Sequence, residues 1–187
     1  MEAIDLLLNR VSCGKLTIPA PTAEQRVLMY KAAMRAADHG NLQPWRFLEI
    51  EGEGLKALGD LYVQAARVDD PELSEAQADR FRKMPLRAPL VLAAIAKHIE
   101  HPKVPPVEQV IAAGAATQNL INAAFALGVG AYWRSGAMVE SPVVKDGLGL
   151  QGGEVLIGFI YLGTPAAPLK AVPSPEVADF FLPWPAK

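Results

Sequence analysis

Few side chains in this sequence are arranged for acid–base or nucleophilic chemistry. The 187 residues include three histidines and one cysteine, Cys13. No nucleophile–base pair, paired carboxylates or metal-ligand cluster stands out at the spacing that such sites require. If the protein is an enzyme, we therefore expect a cofactor to carry the chemistry and the chain to position it. No catalytic residue and no metal site is predicted.

The stretch 36–47, AADHGNLQPWRF, is the best candidate for a binding loop. Asp38, Gly40 and Asn41 favour a turn, because they hydrogen-bond local backbone or accept unusual dihedral angles. Gln43 precedes Pro44 and should be extended. The pattern predicts a rigid loop with ring and amide groups pointing outward, suited to a flat polar ligand. An ordinary helix–strand connection remains the alternative.

Three other motifs match the residue pattern of a binding site but lie in the wrong structural surroundings for one. The segment 52–57, GEGLKA, fits a dinucleotide fingerprint, but its acids would face the pyrophosphate and two helices precede it. The segment 147–152, GLGLQG, follows a helix and precedes a strand, which is the reverse of the required order. In the segment 98–101, HIEH, the histidines directly follow a strand, so a polar loop is favoured over a metal site.

Composition limits the class of protein. The length fits a single domain, 1–187, and the net charge of −2 without a basic stripe argues against nucleic-acid binding. A lone cysteine indicates a reducing compartment, and Cys13 is interpreted as a small buried hydrophobe. The N-terminus lacks the pattern of a signal peptide, so a cytoplasmic location is expected.

The periodicity of apolar residues predicts an α+β protein. Helices are predicted at 3–11, 22–37, 106–127 and 141–148, with two more between 53 and 84, and strands at 46–51, 89–97 and 154–163. Thr22 and Gln25 form a capping-box pattern, and Gly128 follows the longest helix as a C-terminal cap. Gly158 would allow a close approach to the last strand.

Two segments indicate burial against other protein. The stretch 109–133 has no charged side chain, but its polar amides make a helix buried in protein preferable to a membrane span. Apolar positions around most of the long helix indicate cover on several sides and hence a homodimer. The Pro-rich extension 165–187 carries aromatic side chains, so it is predicted to pack on a partner subunit.

Five motifs, in order, resemble those of the flavin-dependent nitroreductase family. They are N-R-x-S at 9–12, R-A-x-D-H at 35–39, Q-P-W at 43–45, G-x-G-x-x-W-R-S-G at 128–136 and G-F-I-Y-L-G-T-P at 158–165. Each motif is weak by itself, but together they cover nearly the whole chain. The nearest resemblance is to the small bacterial YdjA-like subgroup.

The resemblance implies a three-layer α+β fold, with a central mixed or antiparallel sheet flanked by helices, in a homodimer with FMN at each subunit boundary. By motif position, Arg10 and Ser12 would hold the FMN phosphate, with Val11 between them where the family often has a second arginine. Arg35 and His39 would come from the other subunit. The ring system would be lined by the three residues Trp133, Arg134 and Ser135.

The implied reaction is ping-pong transfer from NADH or NADPH, through FMN, to a small-molecule acceptor such as a nitroaromatic or a quinone. Arg134 would stabilise negative charge on the reduced ring. The sequence indicates neither the physiological acceptor nor a preference between NADH and NADPH. A flavin-binding protein without turnover and a cofactor-free interaction module remain alternatives.

Overall fold

The computed structural model describes residues 2–185 and has one central sheet between two layers of helices. The strands are β1 (Leu16–Thr17), β2 (Trp45–Glu51), β3 (Leu90–Ala96), β4 (Gly130–Arg134) and β5 (Val155–Pro165). The helices are α1 (Ala3–Asn9), α2 (Ala23–Ala33), α3 (Glu53–Asp69), α4 (Glu75–Arg82), α5 (Pro106–Ala126), α6 (Ala137–Glu140) and α7 (Pro142–Gly147). Short 3-10 turns occur at His39–Asn41, Pro85–Arg87 and Val177–Asp179.

Strand β3 lies inside the sheet, between β2 and β5, and is buried along its whole length. Its even-numbered side chains, such as Leu90 and Leu92, pack with α2 and α5, while Val91 and Ile95 pack with α3 and α7 on the other face. The continuous apolar run predicted this double cover, and the prediction is confirmed. Every strand pairing among residues 2–185 is antiparallel.

A bulge in strand β5 shifts the alternation of its side chains between the two faces of the sheet. Gly158 pairs with Ala94, but the next pair joins Leu156 to Ile95, so the register shifts there. A Cβ on Gly158 would lie 2.1 Å from Nε1 of Trp133, and its φ is 153°. Only glycine fits this position, which confirms the predicted close approach and shows that the approaching group is an indole.

The predicted helix ends are confirmed where a local signal marks them. Thr22 and Gln25 make both hydrogen bonds of the capping box that begins α2. Gly128 follows α5 with a φ of 73°, the left-handed conformation that the prediction required. The Ser141 side chain caps α7 by accepting from the backbone N–H of Val144.

The binding loop 36–47 differs from its prediction in two ways. Gln43 is not extended but has a φ of 49°, and its N–H donates to the Asp38 carboxylate. Trp45 does not point outward: its ring is buried, and its Nε1–H donates to the thioether Sδ of Met34 at 3.4 Å. The prediction of an outward-facing ring was wrong because Trp45 begins a strand whose first side chain faces the core.

Other differences concern boundaries. Helix α1 ends at Asn9 rather than residue 11, and α2 ends at Ala33, so Arg35 lies in the turn that follows it. Strands β1 and β4 and helix α6 had no sequence prediction. β4 is five residues long and is defined by its pairing with β5, a tertiary interaction that local sequence does not encode.

Much of the uncharged stretch 109–133 is buried, although Ile111 remains exposed. Gln109 is buried and its amide exchanges hydrogen bonds with the backbone of Ile99 at 2.9 and 2.8 Å. Thr117 is also buried and donates to the carbonyl of Ala113. Within residues 2–185, no helix has the length and apolar character to cross a membrane.

Candidate functional site

A cavity of about 450 Å³ lies where the loop after α1 meets the edge strand β4. Ser12 and Lys15 contribute from the loop, and Tyr132 and Arg134 from β4. The segment 167–170, which includes Lys170, closes a further side. The backbone holds the loop in place, because the N–H of Cys13 donates to the carbonyl of Ala131 at 2.9 Å. Two predicted site residues, Ser12 and Arg134, thus share one cavity.

Arg134 is held by aromatic rings. Its guanidinium carbon lies 4.3 Å from the ring centre of Tyr132 and 5.2 Å from that of Tyr161. Among the residues described, no carboxylate pairs with it, and its buried Nε has no hydrogen-bond partner. Burial raises the pKa of Tyr161, and the positive charge of Arg134 offsets part of that rise, so Tyr161 is neutral at physiological pH.

Trp133 points away from this cavity. Successive side chains of β4 alternate, so its indole packs in the core beneath α5 and donates to the carbonyl of Ile157 at 3.1 Å. Only its backbone can reach the cavity side. Ser135, which follows Arg134, is exposed. The structure therefore separates the Trp133 ring from the Arg134 guanidinium, although the two residues are adjacent.

Two residues of the N-R-x-S segment at 9–12, Val11 and Ser12, line different cavities. Arg10 is half-buried and ends α1, where its N–H donates to the carbonyl of Leu6. Val11 lines a separate apolar cavity of about 200 Å³, together with Ile121 and Phe125 of α5. Ser12 lines the larger cavity instead. Arg10 and Ser12 thus flank Val11, whose side chain faces α5.

His39 lies near the start of α5, and Arg35 precedes it in the turn after α2. Both are exposed, and Nδ1 of His39 is 2.6 Å from a carboxylate oxygen of Glu108, near the start of α5. Ile121, further along this helix, lines the smaller cavity together with Val11. The stretch 108–121 corresponds to about 20 Å at 1.5 Å per residue. Within one chain, His39 is therefore about 20 Å from the Ile121 end of the smaller cavity, which shares Cys13 and Leu169 with the cavity that contains Ser12.

Large apolar side chains remain exposed on the single chain. In α1 the exposed fractions are 65% for Ile4, 60% for Leu7 and 66% for Leu8. The C-terminal segment adds Phe180, Phe181 and Trp184, the last of them 94% exposed. Contiguous apolar surface of this kind is typical of protein–protein interfaces.

The larger cavity is suited to an anionic ligand that also has a flat face. Lys15, Lys170 and Arg134 supply positive charge, and Ser12 supplies a hydroxyl. Sequence reasoning missed Lys15, Lys170 and Tyr132. The alternation of side chains along β4 could have identified Tyr132, since it lies two residues from Arg134, whereas the lysines are brought in by chain folding alone.

Comparison with known proteins gives a consistent family. The family model described as "Nitroreductase family" matches residues 7–164. A protein of Escherichia coli (strain K12), named "Putative NAD(P)H nitroreductase YdjA", is 44% identical over 182 residues, 96% of each chain. A Haemophilus influenzae protein named "Putative NAD(P)H nitroreductase" is 39% identical over 165 residues, 88% of this chain and 89% of its own.

Solved structures share the architecture. A variant of NfnB from Sphingopyxis sp. strain HMH, described as an FMN and NADPH-dependent nitroreductase, superposes with a TM-score of 0.76. The match covers 100% of both chains at 20% sequence identity. At that identity the likeness establishes the three-layer fold with its antiparallel sheet.

Proposed function

Because this chain belongs to the nitroreductase family, we propose that it is an FMN-dependent oxidoreductase that uses NADH or NADPH to reduce small acceptors. Nitroaromatics and quinones are the proposed acceptor classes, and the proposed order is ping-pong. Bound FMN would supply two-electron redox chemistry between the nicotinamide and the acceptor. The relatives' names, which specify NAD(P)H nitroreductase activity, support the electron donor.

One observation carries the proposal at the level of residues: Arg134, which has no carboxylate partner among residues 2–185, lines a cavity together with Ser12. An anion or a polar ligand would offset the desolvation of a partly buried guanidinium that no carboxylate neutralises. FMN combines a phosphate with a ring system that becomes negatively charged when it is reduced. The donors of this cavity fit both parts, so the residues present suit the cofactor.

The remaining assignments follow the motif positions. Arg10 and Ser12 would bind the phosphate, where a guanidinium fork matches two phosphate oxygens. Val11 supplies no cation at the place where relatives often carry a second arginine, and the nearby Lys15 is available to replace that charge. Arg134, Ser135 and the backbone of Trp133 would face the ring.

The site is proposed to be completed by a second copy of the chain. His39 contacts Glu108, about 20 Å along α5 from Ile121 in the smaller cavity, which shares Cys13 and Leu169 with the Ser12 cavity. His39, and Arg35 four residues before it, would therefore serve the flavin of the partner. The exposed apolar side chains of α1 and of the C-terminal segment 165–187 would be covered in the same homodimer. A cytoplasmic location remains an expectation from the lone cysteine.

Thermal melting with FMN tests the proposal. Free FMN at a hundredfold its Kd should stabilise stripped protein by about 2.7 kcal/mol. For a chain of this size that corresponds to a rise in Tm of roughly 5–10 °C. A melting curve that FMN leaves unchanged would exclude the flavin site.

Steady-state kinetics then separates an enzyme from a flavin store or sensor. The FMN-loaded protein should oxidise NADH or NADPH when a nitroaromatic or a quinone is present. Binding of FMN without such turnover would favour the non-catalytic alternative. A colourless protein that does not take up FMN would favour the cofactor-free interaction module.

A further inference from the structure

The surroundings of Arg134 suggest that its orientation is set by tyrosines rather than by an ion pair. Tyr132 and Arg134 lie two residues apart on β4 and therefore on the same face. Tyr161 pairs directly with Tyr132 across the β4–β5 ladder, which brings both rings beneath the guanidinium. Cross-strand neighbours of this kind interact through their side chains.

The Tyr132 ring is itself held from the other side. Its edge faces Gly14, where an added Cβ would lie 3.1 Å from Cε2 of the ring. Gly14 belongs to the loop that also carries Ser12 and Lys15. The Tyr132 ring thus contacts both this loop and the guanidinium. It therefore fixes the position of the Arg134 cation relative to the loop.

We propose that Tyr132, supported by Tyr161, is a positioning residue that holds the Arg134 cation at the cavity wall and so sets the reduction potential of the bound flavin. This inference rests on the proposed function. Rings attract a cation through their π-electron faces without neutralising it, whereas a carboxylate would cancel its charge. The stack therefore leaves the full positive charge available to favour the reduced, negatively charged ring.

The test compares midpoint potentials of the FMN-loaded protein for wild type, Tyr132→Leu, Tyr132→Phe and Arg134→Gln. Tyr132→Leu should weaken the preference for reduced over oxidised flavin by about threefold to fivefold, the range of a cation–π contact. For a two-electron couple, in which tenfold is 29.6 mV, the potential falls by roughly 15–20 mV. Tyr132→Phe keeps the ring face and should match wild type.

The double variant Tyr132→Leu/Arg134→Gln decides whether Tyr132 acts through Arg134. If it does, the double variant has the potential of Arg134→Gln alone, because the two changes remove one interaction. Additive shifts, or an unchanged potential in Tyr132→Leu, would overturn the inference. Wild type that does not bind FMN would refute the proposed function itself, and the inference with it.

Gly14→Ala provides a second perturbation if Tyr132→Leu does not fold. The added methyl group displaces the Tyr132 ring by a few tenths of an ångström while leaving both Tyr132 and Arg134 in the chain. A smaller fall in potential is expected, and it should vanish in the Arg134→Gln background. A fall that persists in that background would show that the loop acts on the flavin without Arg134.

Discussion

At the scale of residues, the cavity depends on a few cations that protein groups leave uncompensated. Some arginines elsewhere are paired with carboxylates, such as Arg26 with Glu51 and Arg46 with Glu154. Arg134 is stacked on rings instead. Because an unpaired charge near the interior costs folding free energy, the proposed anionic ligand would offset that cost.

The phosphate role of Arg10 has a direct test. Arg10→Ala should weaken FMN binding by about tenfold to a hundredfold and leave riboflavin binding nearly unchanged, because the lost charge-assisted contact is to phosphate. Affinities for both flavins can be measured by fluorescence quenching. Arg80→Ala, which removes an exposed arginine of α4, is the control. Equal losses for the two flavins would assign Arg10 a structural role.

At the scale of elements, the β4–β5 ladder determines the site. It places Arg134 and Tyr161 on one face and the Trp133 indole on the other. The bulge at Gly158 makes room for that indole, whose N–H binds the carbonyl of Ile157. The candidate site therefore depends on a glycine that does not line it.

Gly158→Ala should destabilise the fold by about 2–4 kcal/mol, since the methyl group would overlap Trp133 and displace its hydrogen bond. Urea unfolding monitored by circular dichroism gives the free energy. Gly152→Ala is the matched control, because a Cβ there meets no atom within 4 Å. A change there should stay within about 0.5 kcal/mol. Equal effects at the two glycines would contradict the packing argument.

A second element-level contact joins β2 to the start of β5. Arg46 donates to both carboxylate oxygens of Glu154, at 2.7 and 2.6 Å, and the backbone N–H of Gln151 donates to the same group. The hydrogen bonds from Arg46 hold the pKa of Glu154 below its usual 4.5. The carboxylate therefore contributes stability above pH 4.5, and this contribution is lost as the pH falls through its folded pKa.

Glu154→Gln should accordingly lower stability at pH 7 by about 1–2 kcal/mol, since partial exposure of Arg46 screens the pair. The corresponding loss in Tm is roughly 2–8 °C. Melting at pH 7 and at acid pH should show the deficit narrowing below pH 4.5, the ordinary value for this carboxyl group. Glu75→Gln, at an exposed pair with Arg67, is the control and should change little. A deficit independent of pH would contradict the ion-pair explanation.

At the scale of the whole molecule, a single chain leaves two tasks incomplete. Apolar surface on α1 and the C-terminal segment remains exposed, and His39 lies about 20 Å along α5 from the smaller cavity. A two-fold dimer could resolve both, because each copy would cover the apolar surface of the other and supply the missing residues.

Mixed dimers test this arrangement. Arg10→Ala and Arg35→Ala homodimers should each have two damaged sites, whereas a mixed dimer has both lesions at one site and an intact second site. Random assembly gives about half mixed dimers, so co-expression should restore roughly a quarter of wild-type turnover. If the residues act within one chain, every site keeps a lesion and no activity returns. Mass measurement of the mixed dimers is the required control.

The sequence alone determined the features that are encoded locally. The capping box at Thr22, the left-handed Gly128 and the doubly buried strand β3 depend on neighbouring residues or on a run of apolar ones. Motif order further identified the family. These signals are readable because their physical cause lies within a few residues of chain.

Tertiary structure decided which side chains share the cavity. Lys15 and Lys170 are distant in sequence, and the stacking of Arg134 depends on the pairing of β4 with β5. Trp133 and Arg134, adjacent in one motif, are separated by the alternation of a strand that the sequence did not predict. Strand pairing joins residues far apart in the chain, so no local pattern could specify these contacts.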